Sequence, residues 1–204
     1  MQALLLQRII VQKWSILFAI AICMLINYID IPFLDSPSIG LVVVVFSTSF
    51  VRGFYEDDLK VNWELFVNSL PLTKKTQLQA DFLFSYGWVA LLFVLMAPAY
   101  FSQSAADENF LEHFAMYFAY ISSASLFICV QFYIHHLGKA NGMRYFKMMT
   151  AIFLIFIINF PIHYFLSQVV ANLSIILIPT IISIVISLFI FRQSLTLYLI
   201  KDVN

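Results

Sequence analysis

The stretch Ile175-Ile-Leu-Ile-Pro-Thr-Ile-Ile-Ser-Ile-Val-Ile-Ser-Leu-Phe-Ile-Phe191 holds no charged residue, and its apolar run is interrupted only by Pro179, Thr180, Ser183 and Ser187. A strand crossing a bilayer alternates apolar and polar residues over about 10 positions, which this stretch does not do. A helix crossing the hydrocarbon core needs roughly 20 mostly apolar residues, and the stretch with its flanks supplies them. Working outward, six segments meet that requirement: about 14–34, 38–55, 78–101, 112–137, 148–168 and 174–192. The composition agrees, with 62% hydrophobic and 11% charged residues and a mean hydropathy of +0.92. Soluble domains carry about a quarter charged residues. The chain is expected to be an all-α membrane protein, with six transmembrane helices forming one unit over residues 1–204.

The net charge of zero hides a segregation of charge. Arg8 and Lys13 precede the first span, and Arg52, Lys60, Lys74 and Lys75 lie between the second and third. Lys139, Arg144 and Lys147 lie between the fourth and fifth, and Arg192 and Lys201 follow the sixth, which accounts for all 11 basic residues. The opposite side has Asp30, Asp35, Asp107, Glu108 and Glu112 and no base. By the positive-inside rule both termini and both larger polar connections are cytoplasmic, in the plasma membrane or the equivalent bacterial cell membrane. One span more or fewer would scatter the charges. The first apolar core is too long for a signal peptide and is expected to remain as a span. Cys23 and Cys129 fall inside spans and read as small packing residues.

Residues 1–13 place Ala3, Leu6, Ile10 and Trp14 on one stripe with Gln7, Arg8 and Gln12 elsewhere, the pattern of an interfacial helix on the cytoplasmic leaflet. A plain extension of the first span is the alternative. Span 5 is expected either to break near Pro161 and re-enter or tilt, or simply to kink there. Asp107, Glu108, Glu112 and His113 have no fixed ligand spacing and read as solvated charges rather than a metal site. Asn172-Leu-Ser174 matches a glycosylation sequon short enough to arise by chance. No Gly-x-x-x-x-Gly-Lys-[Ser/Thr] loop, His-Glu-x-x-His motif or Gly-x-Ser-x-Gly elbow occurs, so the chain is expected to hydrolyse no ATP itself and to be no enzyme.

Between spans 2 and 3 lies a polar island, Phe54 to Thr76. Leu59, Trp63, Phe66, Val67 and Leu70 recur at helical spacing, with Lys60, Asn62, Glu64 and Asn68 on the other side. A short amphipathic helix is expected there, closed by Pro71, with Thr73 capping the next helix. The stretch Phe54 to Leu83 resembles the permease subunits of ABC-2 type exporters, in particular a short six-span subfamily. The resemblance rests on the acidic cluster Glu56-Asp57-Asp58, on Trp63, and on Ser69-Leu70-Pro71-Leu72-Thr73-Lys74-Lys75 opening the third span. The chain departs from that pattern at Asn62, where glycine often precedes the tryptophan, and at Asp81, where the third span usually carries a basic residue.

The resemblance implies that two permease chains, identical or related, form the pathway and that each docks a cytosolic ABC ATPase. ATP and Mg would be held by that ATPase, and no cofactor, metal or nucleic acid by this chain. The amphipathic helix would be the coupling helix, with Trp63, Phe66 and Leu70 as packing anchors, Glu64, Asn68, Lys74 and Lys75 as polar contacts, and Ser69 and Pro71 also among the coupling residues. Spans 2 and 5 would line the pathway, which nominates Ser47, Thr48, Ser49 and Asn159. An amphipathic or antimicrobial peptide, or a lipid, is the implied cargo. A different class of function stays open beside it: a non-transporting immunity or sensor protein that keeps the permease fold.

Overall fold

The computed structural model describes residues 2–29, 35–60, 73–104, 110–136, 142–170 and 172–200, and among them every regular element is a helix. In chain order these are α1 (Gln2–Val11), α2 (Lys13–Tyr28), α3 (Ser36–Lys60), α4 (Lys74–Ser104), α5 (Phe110–His136), α6 (Gly142–Val169), α7 (Leu173–Ile176) and α8 (Ile178–Ile200). Four segments are long and apolar enough to cross a membrane: Lys74–Ser102, Phe110–His136, Phe146–Val169 and Leu173–Ile200. A fifth is formed if α1 and α2, which meet at a 68° bend, count as one broken span. In α3 the described apolar stretch, Ser36–Ser49, is shorter. The chain is thus an all-helical, membrane-type protein with four to five apolar spans among its described residues.

One expected helix limit is corrected, and at Pro161 the break is set aside in favour of a continuous helix. Helix α3 runs on to Lys60, so Leu59 and Lys60 continue the second apolar helix rather than open a new one. The rest of the expected amphipathic helix, residues 61–71, lies outside the described residues. Helix α6 passes unbroken through Pro161. A proline removes one N–H, and inside a packed bundle that loss bends a helix more readily than it ends one. The interruption falls instead at Leu177, between α7 and α8. There Asn172 caps α7, its side-chain oxygen accepting from the Ser174 N–H at 3.0 Å.

Helix α5 is the centre of the bundle, packing on α8, α6, α3 and α4. Its inner surface is built from small side chains, Ala115, Ala119, Ser122, Ser123, Ala124 and Cys129, all buried. Facing it, α8 buries Thr180, Ser183, Ser187, Ser194 and Tyr198, spaced by threes, fours and sevens, while Ile181, Ile182, Val185 and Phe189 point outward. In lipid, apolar side chains gain little by leaving the solvent, so helices associate through close packing of small residues. That is why the serines of α8 face inward and its isoleucines outward, the reverse of a soluble helix.

Helix α3 meets α5 tightly at Gly40, where the Tyr120 ring covers the position a Cβ would take and the Tyr120 hydroxyl donates to the Pro37 carbonyl at 3.0 Å. Tyr120 is itself buried. Gly40→Leu is therefore expected to destabilise the bundle by about 1–3 kcal/mol, the usual range for overpacking. A thermal melt in detergent reads this directly. An equal loss from Gly53→Leu, where nothing lies within 4 Å of the added Cβ, would show that the effect is not local.

At one end of the bundle Asp35 starts α3, accepting from the Ser38 N–H at 3.0 Å. The Ser38 hydroxyl and N–H hold its carboxyl below the ordinary range. At the same end the Tyr100 hydroxyl donates to the His113 carbonyl at 3.3 Å. The other end gathers α1, the end of α3, the start of α4 and the ends of α5 and α8. Among the described residues, Arg8, Asp58, Asp81 and Lys74 meet here.

Candidate functional site at the basic end of the bundle

Helix α4 opens at this end with the expected cap: Thr73 Oγ1 accepts from the Thr76 N–H at 3.2 Å and pairs with the Thr76 hydroxyl at 2.7 Å. From the cap, Lys74, Gln77, Leu78, Asp81 and Ser85 descend one face of α4. Gln77, Leu78, Asp81 and Ser85 are buried. An ionisable residue inside an apolar helix is costly unless it is paired, and Asp81 is paired with Arg8.

Arg8 is 2% exposed, and its guanidinium divides between two helices. Its Nε donates to Asp81 Oδ1 of α4 at 2.7 Å, while Nη1 and Nη2 fork onto the two oxygens of Asp58 of α3 at 2.6 and 2.7 Å. This is the planar, bidentate geometry that arginine provides and lysine does not. Burial works against the charge of Arg8, but Asp81 and Asp58 outweigh it and hold its pKa above the ordinary guanidinium value. One cation thus joins α1, the end of α3 and the start of α4.

A second junction lies beside it. Tyr198, at the end of α8, donates its hydroxyl to Gln77 Oε1 at 2.7 Å. The His136 ring from the end of α5 lies 4.6 Å from that of Tyr198, and the Lys74 ammonium sits 5.7 Å from the same ring's centroid, within the range of a cation–π contact. The first turns of α4 thus touch α8 and α1 directly and are linked through Tyr198 to the end of α5 and through Arg8 to the end of α3. The start of α4 is the hub of this end.

A separate polar cluster occupies the far half of the bundle. His163 of α6 is fully buried, its Nδ1 2.9 Å from the Asn159 carbonyl and its Nε2 3.1 Å from the Thr180 hydroxyl of α8. Asn159 Nδ2 donates to Ser123 Oγ of α5 at 3.3 Å. With Nδ1–H donating to the carbonyl and Nε2 accepting from Thr180, a neutral imidazole satisfies both contacts. The cluster joins α5, α6 and α8 through these hydrogen bonds and reads as a packing junction.

The residues expected to matter are distributed unevenly over this structure. Trp63, Glu64, Phe66, Asn68, Ser69, Leu70 and Pro71 lie outside the described residues. Lys75 is exposed at the start of α4, and Lys74 is engaged with Tyr198. Ser47 is buried, its hydroxyl donating to the Val43 carbonyl, and Thr48 Oγ1 donates to the Val45 carbonyl at 3.0 Å. Ser49 opens onto a groove of about 200 Å³ between α2 and α3, lined also by Gln12, Ser15, Phe18 and Phe46. Asn159 faces α5. Helices α3 and α6 both pack on α5.

Glu112 and Gln168 pair at 3.3 Å, and no cluster able to hold a metal occurs among the described residues. Gln77 and Tyr198 were not singled out in the sequence, and Arg8 and Asp58 stood there only as a cytoplasmic base and as part of the acidic cluster, not as partners. The available signal was Asp81: a lone carboxylate in an apolar helix requires a cationic partner, and Arg8 is the first base in the chain. No family model matches the chain, and no curated protein or solved structure is significantly similar to it.

Proposed function

We propose that this chain is the permease subunit of an ATP-driven exporter of the ABC-2 type. In this reading it crosses the membrane six times, with both termini and the segment 59–75 in the cytoplasm, and α1 lies on the cytoplasmic leaflet. A second permease chain, identical or related, completes the pathway, and each copy docks a separate cytosolic ABC ATPase that holds ATP and Mg. Ser47, Thr48, Ser49 and Asn159 are the candidates for the pathway wall. The cargo is an amphipathic or antimicrobial peptide, or a lipid.

The observation that carries this reading is the tie between the two helices that flank residues 61–72. The end of α3 is held at Asp58 and the start of α4 at Asp81, both by Arg8, and α4 is linked onward to α8 and α5 through Tyr198. A push on the segment between them would be delivered to helices throughout the bundle rather than absorbed in a slack loop. The placement of α1 is supported by its faces. Leu6, Ile9, Ile10 and Val11 are exposed and Trp14 is 74% exposed, while Leu4, Arg8 and Gln12 turn inward. At the 68° bend Lys13 lies 5.7 Å from the Trp14 ring centroid, a pairing suited to a membrane interface.

Orientation is tested with an impermeant thiol reagent applied to intact cells, on a background free of Cys23 and Cys129. A cysteine at Asn109 is expected to react and one at Lys75 to remain protected until the cells are opened. The reverse pattern would place the segment 59–75 outside and remove it from any cytosolic ATPase. The energy source is tested by copurifying the chain with an ATPase and measuring ATP turnover in liposomes. A chain that binds no ATPase under those conditions would fit the non-transporting immunity or sensor role instead.

A further inference from the structure

We propose that Arg8 works as a releasable latch, keeping Asp81 as its fixed partner and letting go of Asp58, so that the end of α3 is tied to α1 and α4 in one state and freed in another. The two carboxylates meet at a single guanidinium and repel one another there. Sending either one into water relieves that repulsion, and only one has a ready route. The Asp58 side chain is 18% exposed and lies in the last turn of α3, whereas the Asp81 side chain is 7% exposed and lies about two turns inside α4.

The surroundings of the two acids differ in the same sense. Asp81 is on the buried face of α4, with Leu78 and Ser85 buried on either side and the Ser85 hydroxyl donating to the Asp81 carbonyl at 2.8 Å. Asp58 belongs to the part of α3 beyond its apolar stretch, Ser36–Ser49. Arg8 itself is carried by a helix whose outward face is apolar and whose axis turns 68° from α2. Helix α1 therefore stays with the bundle through the Arg8–Asp81 pair when Asp58 leaves. Two discrete arrangements of one charge cluster form a two-state element on which an outside force can act.

The latch rests on three side chains, and its use in transport rests on the permease reading above. Amide hydrogen exchange on the full chain in nanodiscs tests it without any ATPase or cargo. Asp58→Asn is expected to speed exchange in the last turns of α3, Val51–Lys60, by about tenfold or more, as loss of charge-assisted bonds requires. Exchange in α1 and in Lys74–Ser85 should then stay within about twofold of the parent, while Asp81→Asn should speed exchange in both of those segments. Arg8→Lys keeps a cation but cannot fork, and should reproduce the α3-limited pattern of Asp58→Asn.

If Asp58→Asn loosened α1 and α4 as much as α3, the three helices would move as one body and there would be no latch. An unchanged α3 end in both Asp58→Asn and Arg8→Lys would equally overturn it. Either failure would leave the permease reading standing, since ATPase docking is measured separately. Loss of ATPase docking would in turn leave the latch untouched.

Discussion

Arg8→Ala is expected to lower the unfolding free energy by about 3–5 kcal/mol, the usual loss when one member of a buried ion pair is removed. The figure follows from what is left behind. Arg8 is 2% exposed and serves both Asp58 and Asp81, so its removal takes the shared cation from two acids, one of them buried. Unfolding by increasing denaturing detergent, monitored by tryptophan fluorescence, measures the loss. The combined variant Arg8→Met, Asp58→Asn and Asp81→Asn should recover most of it, because it removes the charges together with the bonds. A loss below about 1 kcal/mol in Arg8→Ala would mean that water already screens the cluster, as it does for surface pairs.

The sequence made this cluster hard to see for a physical reason. Periodicity assigns residues to faces, and it separated Leu6, Ile10 and Trp14 from Arg8 and Gln12 without saying which face is turned inward. In a soluble protein the apolar face would be buried. Here Leu6, Ile10 and Trp14 are exposed, whereas Arg8 and Gln12 are buried. The same inversion appears in α8, where the serines face α5. Helical class and the Thr73 cap were legible, because run length and turn chemistry are local properties. Pro161 was not: a proline that kinks a helix and one that breaks it have the same sequence, and the difference is made by the helices packed around it. The distant pairs Arg8 with Asp81 and Tyr198 with Gln77 depend on how helices far apart in the chain are arranged, which no local pattern encodes.

The second large effect is expected from Trp63→Ala combined with Leu70→Ala. Buried aromatic and aliphatic anchors at the centre of an interface typically contribute about 2 kcal/mol or more each. Losing both should weaken docking of the cytosolic ATPase by roughly 100-fold or more, short of full additivity. The bundle is expected to stay folded, because Arg8 with Asp58 and Asp81, and Tyr198 with Gln77, tie the flanking helices. The readouts are copurification of the ATPase and ATP turnover in liposomes, beside a melting curve. An unchanged melt with lost turnover supports coupling through residues 59–75. Unchanged docking and turnover would exclude Trp63 and Leu70 as anchors.

The most direct measurement places a photoreactive amino acid at Glu64 and, in a parallel protein, at Asn109, and illuminates native membranes in the presence and absence of ATP. If the segment 59–75 is where force enters the membrane protein, Glu64 will form an adduct with an ATPase that carries a phosphate-binding loop, its yield will change with ATP, and Asn109 will form none. Adducts from Glu64 that contain only lipid, or only a second copy of this chain, would contradict the account.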